Sequence, residues 1–220
     1  TMVVGSNIGG GKTDGVIHTK AHELMVVNDD GTIDVTMRMW RQHTGVRGEL
    51  FTGVNNVDYM RMYVPEGSQL LSSQGFNPPD RSLFKNPSLD FHDDNDLTAI
   101  QGKIAYDPHG MYINNEFGKT VFGNWVQTKP GQTSLVEIKY RLPFTVSDLQ
   151  TSAGEYGYML LVQRQSASSI NDYSIDVVLP SQYTMAWTLP KEMNRIDHTW
   201  HWESTSFEED ALIAFQFHKQ

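Results

Sequence analysis

Between Thr32 and Met39, the apolar residues Ile33, Val35, Met37 and Met39 alternate with Thr32, Asp34, Thr36 and Arg38. A period of two is the pattern of a half-buried β-strand, because successive side chains point to opposite faces. The pattern recurs, and it constrains the fold more than any other feature. Val57 to Val64 sets Met60, Met62 and Val64 against Tyr59, Arg61 and Tyr63; Val136, Ile138, Tyr140 and Leu142 alternate with Glu137, Lys139 and Arg141. Further strands are expected over about 18–27, 69–72, 119–128, 156–164, 173–179, 183–189, 196–203 and 211–217. Turn chemistry separates them. Asn28-Asp29-Asp30-Gly31 fits a hairpin connection, and Lys129-Pro130-Gly131-Gln132 fits a type II turn. Strands 156–164 and 173–179 read as another hairpin. Ser206 and Glu209 match a capping box, which predicts a helical turn before the last strand. About ten strands with little helix predict an all-β fold, an antiparallel β-sandwich, Ig-like or larger.

At 220 residues the chain can bury a full core. It reads as one β-rich region over 1–220, or as two packed β-subdomains over 1–110 and 111–220. Phe76 to Gly110 breaks the rhythm with Pro78-Pro79, Pro87, Pro108 and the acidic run from Asp90 to Asp96. Loops this long are usually functional or disordered; a strand within it is expected near 100–106. The net charge of −9 argues against a nucleic-acid surface, which needs a basic stripe. No apolar run in the sequence is long enough to cross a bilayer, and none reads as a signal peptide. Thr1-Met2 reads as the start of an excised piece, so an anchor preceding it is expected. The absence of cysteine excludes disulfides and thiolate metal sites.

The glycine run Val3 to Asp14, VVGSNIGGGKTD, invites a different reading. A phosphate loop needs G-x-x-x-x-G-K-[ST] between a buried strand and a helix whose N-terminus holds the anion. Gly11-Lys12-Thr13 supplies the second half, but Ser6 stands where the first glycine belongs. Asp14-Gly15 and the extended formers Val16, Ile17 and Thr19 follow where a helix should begin. Asn7, Gly9, Gly10, Gly11, Lys12 and Asp14 are therefore assigned to a tight structural loop entering the first sheet.

The run also carries a resemblance. Asn7 to Asp14, Tyr63 to Ser68, Glu116 to Gly123, Lys129 to Gln132, Tyr140 to Pro143 and Val162 to Gln165 follow in order. In these stretches the chain resembles the C-terminal extracytoplasmic region of a bacterial membrane-anchored envelope protein family of unassigned function, sometimes encoded near exopolysaccharide genes. The resemblance implies an extracytoplasmic location and membrane anchoring through a preceding part. It brings no catalytic residues and does not extend to 76–110 or beyond Pro180.

Candidate sites are few. Asp90, Asp93, Asp94 and Asp96 offer oxygen ligands for calcium, without the spacing of a calcium-binding loop; no other cofactor is expected. His18 and His22 have the spacing of a helical zinc pair, but on a strand they stand about 13 Å apart. His198 and His201 point to opposite faces of a strand. Trp200 and Trp202 share a face that would serve either as core or as a platform for sugar rings. The expected function is a non-catalytic module binding a cell-surface glycan or protein partner, or acting as a spacer. The alternative is a hydrolase of envelope polysaccharide, drawing acid and base from Glu116, Glu155, Glu208 or Glu209; nucleotide binding is the third possibility.

Overall fold

The alternating stretches become the strands of two sheets. The computed structural model describes residues 1–9, 11–152, 154–167 and 170–220. The chain runs through β1 (Met2–Asn7), β2 (Ile17–Val27), β3 (Thr32–His43), β4 (Asn56–Pro65) and β5 (Gln69–Gln74). After the long excursion come β6 (Ala105–Tyr106), β7 (Tyr112–Glu116), β8 (Lys119–Thr128) and β9 (Thr133–Thr145). The remainder supplies β10 (Gln150–Ser152), β11 (Glu155–Arg164), β12 (Ile170–Val178), β13 (Tyr183–Leu189), β14 (Asn194–Ile196), β15 (Thr199–Ser204) and β16 (Ala211–Lys219). One sheet has the order β13-β16-β11-β1-β4-β8-β7-β6 with β10 beside β11; the other has β14-β15-β12-β2-β3-β9-β5.

The all-β sandwich is therefore as expected, with more strands than the ten or so read from the sequence. Two pairings are parallel, β1 with β11 and β12 with β2, which makes both sheets mixed. Those pairings attach the C-terminal strands to the N-terminal ones, so both sheets draw strands from either side of residue 110. The hairpin expected from 156–164 and 173–179 does not form. β11 lies in the nine-stranded sheet between β16 and β1, whereas β12 lies in the seven-stranded sheet between β15 and β2. β11 instead pairs over eight positions with β16, and β12 over eight with β2.

Inward rows from the two sheets form one core. Met25, Val35, Met37, Met39, Ile138, Tyr140 and Ile175 meet Met60, Met62, Phe122, Ile213, Phe215 and Phe217, all buried. Methionine's flexible, polarisable side chain suits it to the irregular gap between two twisted sheets. The type II turn is present: the Gln132 N–H donates to the Lys129 carbonyl at 3.0 Å, and Gly131 has φ 75°.

The excursion over 76–110 packs on the outer face of the nine-stranded sheet. The Asn77 N–H donates to the Trp125 carbonyl at 2.8 Å, and Phe84 lies 5.2 Å from Trp125, which in turn contacts Tyr59 at 5.0 Å. A helix, α1 (Asn95–Gln101), occupies part of the region expected as strand 100–106, leaving only β6 extended. The helical turn expected at Ser206 is absent. Ser206 Oγ donates to Glu208 Oε1 at 3.1 Å, while Phe207 drops into the core with its N–H on the Asn171 carbonyl. Burying Phe207 outweighs the few bonds of an isolated turn.

Candidate functional site

The glycine run begins as β1. Gly5 pairs with Met60, and a Cβ there would lie 2.9 Å from Asp58 Oδ2. The chain then turns through Gly9 and Gly11 at φ 86° and 61°. At Gly11 a Cβ would come within 2.9 Å of the Phe51 carbonyl oxygen. Gly10 lies outside the described residues. Lys12 donates its N–H to Phe51 O at 3.1 Å and sets its ammonium 5.5 Å from that ring's centroid. A short 3₁₀ turn, Thr13–Val16, and then β2 follow. Among the described residues no α-helix begins at the end of the loop.

Beneath the loop lies a buried polar network. Asn7 Nδ2 donates to the Gly11 carbonyl (3.3 Å) and Thr13 Oγ1 (3.1 Å), and Asn56 Nδ2 donates to Thr13 Oγ1 (3.0 Å) and Asp14 Oδ1 (2.9 Å). Arg41 Nη2 then donates to Asn56 Oδ1 at 3.0 Å and to Asp58 Oδ2 at 2.9 Å, joining the two sheets. Arg41 and Asp58 are only 4% and 2% exposed. Burial pushes the Asp58 carboxyl up, against the opposing pull of Arg41. Arg41 Nε and Asp58 Oδ1 have no partner among the described residues, and both side chains border a cavity of about 150 Å³. The network is a clamp at one end of the sandwich. Its signal was present in the sequence, since the inward row Met37, Met39 continues to Arg41 and the row Met62, Met60 to Asp58.

The carboxylates of the acidic run take separate places. Asp94 caps α1, its Oδ1 accepting from the N–H groups of Asp96 (2.9 Å) and Leu97 (3.1 Å), and Asp96 occupies the first turn. Asp90 is lowered by a hydrogen bond from its neighbour Ser88. Among the described residues no three His, Cys, Asp or Glu side chains converge on a metal-sized point.

The histidines pair across strands rather than along them. On the outer face of the seven-stranded sheet, His22 Nε2 lies 3.0 Å from Asp176 Oδ2 and His201 Nδ1 lies 2.6 Å from Asp176 Oδ1. This bridge depends on the parallel register of β12 on β2, which no local pattern encodes. Beside it runs an open trough of about 680 Å³ whose lining includes Lys20, His22, Arg38, Trp40 and Glu203. Its charges are largely neutralised in pairs, Lys20 with Asp172 and Arg38 with Glu137.

The two tryptophans of 196–203 separate in role. Both face inward, opposite Ile175 and Val177 in register. Both are partly buried against the core, and Trp202 packs 6.4 Å from the buried Tyr173 ring. Trp200 instead reaches the lateral mouth, where the edge strands β13 and β14 leave the two sheets open. There it borders two adjoining depressions of about 190 and 260 Å³, which share Trp200 and Met185 as a common wall. Trp187, 47% exposed on edge strand β13, lines the larger one. No local pattern joins Trp187 to Trp200, because the sheets that carry them meet only in the tertiary fold. Arg195, His198 and Tyr183 line the smaller depression, and Lys191 the larger. No Asp or Glu side chain lines either one.

The four carboxylates available for hydrolysis lie apart from this cleft. Glu116 accepts from the Tyr63 hydroxyl at 2.7 Å and faces Arg61 at 3.6 Å; Glu155 accepts from Gln216 and Ser152; Glu208 accepts from Ser206. Glu209 is exposed in the connection before β16.

These features define a two-sheet, mixed β-sandwich with an aromatic cleft at its lateral mouth that, among the described residues, no Asp or Glu side chain lines. No protein-family profile and no curated protein matches the chain. Among solved structures it is similar to a proposed nutrient-binding protein from Legionella pneumophila, at 9% identity over 98% of this chain and 70% of that one, with a TM-score of 0.46. It is also similar to an M1 zinc metallopeptidase from Deinococcus radiodurans, at 8% identity, with a TM-score of 0.36. That match covers 97% of this chain and 46% of the peptidase, so the chain spans less than half the peptidase's length. Neither likeness bears on ligand or reaction.

Proposed function

We propose that the protein is a non-catalytic β-sandwich module of a bacterial envelope protein that binds glycan at the mouth between its sheets. The observation that carries this reading is the cleft around Trp200, walled by Trp187, Met185 and Tyr183 and free of side-chain carboxylates. Aromatic walls offer flat apolar surface to the C–H faces of sugar rings, and the surrounding polar groups fix orientation. Glycoside hydrolysis needs two carboxyl groups about 5 to 10 Å apart across the bond that breaks, and this cleft supplies neither. The envelope location rests on the resemblance carried by the glycine run and the stretches that follow it.

Trp187→Ala is the clean test, because that side chain is half exposed and its loss leaves the core intact. Titration with a panel of bacterial surface oligosaccharides, followed through the tryptophan indole N–H resonances, is expected to show saturable binding. Trp187→Ala should weaken it at least tenfold at unchanged melting temperature. Binding that ignores Trp187, or release of reducing ends from the oligosaccharides, would overturn the reading.

A further inference from the structure

We propose that the mouth cleft selects acidic glycans, chains whose sugars carry carboxylates, over neutral ones. This rests on the glycan reading of the cleft and names its ligand class. The chain as a whole is acidic, at −9, yet every ionisable side chain lining the two depressions, Tyr183 aside, is basic: Lys191, Arg195 and His198. Among the described residues none of the three lies within 4.0 Å of a carboxylate, unlike Lys20, Arg38, Arg41, Lys139 and Arg141 elsewhere in the fold. Arg195 uses Nε to hold the Asp197 carbonyl at 2.8 Å, which fixes the guanidinium at the tip of the β14–β15 hairpin. That bond leaves its terminal nitrogens to meet a carboxylate, for which the guanidinium fork is suited.

The geometry distributes the charge to match a chain of sugars. Arg195 and His198 stand in one depression and Lys191 in the other, with Trp200 between them. A sugar ring lying against Trp200 would therefore have a cation on either side. Lys191 and Arg195, placed in the lining while Glu192 and Asp197 are not, give an anionic polymer a cationic contact on an otherwise acidic chain. A neutral glycan meets the same aromatic walls but leaves Lys191 and Arg195 without an anionic partner.

The test compares tetramers of galacturonate, glucuronate and mannuronate with their carboxyl-reduced counterparts, which keep linkage and ring shape and lose only the charge. Binding is read by calorimetry and by the Trp187 and Trp200 indole resonances of the intact chain. At least one uronate tetramer is expected to bind at least tenfold tighter than its reduced form, and less tightly as salt rises. Lys191→Gln with Arg195→Gln, both surface changes, should erase that preference while leaving the melting temperature unchanged. Trp187→Ala should weaken both members of the pair alike. Equal binding of the charged and reduced tetramers overturns charge selection and leaves the glycan reading standing. Tight uronate binding that survives the double change overturns the assignment to these residues. Absence of binding by both members of every pair sinks the glycan reading together with the inference.

Discussion

Replacing Arg41 with methionine keeps much of the side-chain volume but removes the cation facing Asp58, which is 2% exposed. Asn56 Oδ1 loses its donor at the same time. Breaking a buried pair by deleting one partner costs about 3–5 kcal/mol, because an uncompensated charge is left behind. Asp58 has an escape: it can take up a proton. The cost of holding that proton at pH 7, three pH units above the ordinary carboxyl range at about 1.4 kcal/mol each, caps the charge part of the loss near 4 kcal/mol. Arg41→Met is therefore expected to lose about 3–4 kcal/mol at pH 7. The penalty should carry a pH signature. Burial already raises Asp58 above its unfolded value, and losing Arg41 raises it further. A carboxyl raised in the folded state costs nothing below its unfolded pKa and progressively more as pH climbs toward the folded one. Urea unfolding followed by fluorescence of the five tryptophans, at pH 5, 6, 7 and 8, measures the difference from the parent. It should widen with pH, and Asp58→Asn in the Arg41→Met background should remove most of the widening. A loss below about 1 kcal/mol, or one that is flat with pH and indifferent to Asp58→Asn, would refute the account of the clamp.

Other outcomes follow from the same physics. Glu23 is 1% exposed, with burial pushing its carboxyl up against the opposing hydrogen bond from Tyr173 at 2.6 Å. Its ionisation therefore removes stability as pH rises above the unfolded value, and Glu23→Gln should gain on the parent between pH 5 and 8, by up to about 1.4 kcal/mol per unit in urea unfolding. A gap that shrinks with rising pH would contradict this. Gly11→Ala places a side chain at φ 61° with its Cβ 2.9 Å from a backbone oxygen; it should cost about 1–3 kcal/mol of stability. Lys12→Ala removes an exposed ammonium–ring contact and should cost less than about 1 kcal/mol. Equal losses from the two changes would show that the loop is held by Lys12 rather than by its glycines.

Much of the architecture was legible locally. The period of two at Thr32–Met39 and Val57–Val64 marked both strand and inward face, because burial on one side of a pleated strand writes itself into alternate residues. Gly131 marked its turn for an equally local reason, since φ near 75° excludes most side chains. What local pattern does not encode is which strand lies beside which. Strands 156–164 and 173–179 resemble a hairpin because they are neighbours in sequence, yet they join different sheets. The His22–Asp176–His201 bridge was invisible for the same reason, its members being brought together by the β12–β2 and β12–β15 registers. In the acidic run the sequence shows carboxylates close together, while the fold uses Asp94 to cap α1.

By itself, then, the sequence determined a β-sandwich with methionine-rich inner rows, a glycine-permitted turn after β1 and a net acidic charge. These are consequences of side-chain periodicity, backbone sterics and summed charge, each a property of a short window or of composition. The tertiary structure decided how the strands pair, why Arg41 and Asp58 can be buried together, and where Trp200 comes to rest. It packed both Trp200 and Trp202 partly against the core and set Trp200 at the mouth with Trp187, Lys191, Arg195 and His198. That grouping depends on the open edges of two sheets standing side by side, a relation between distant segments that no window of sequence contains.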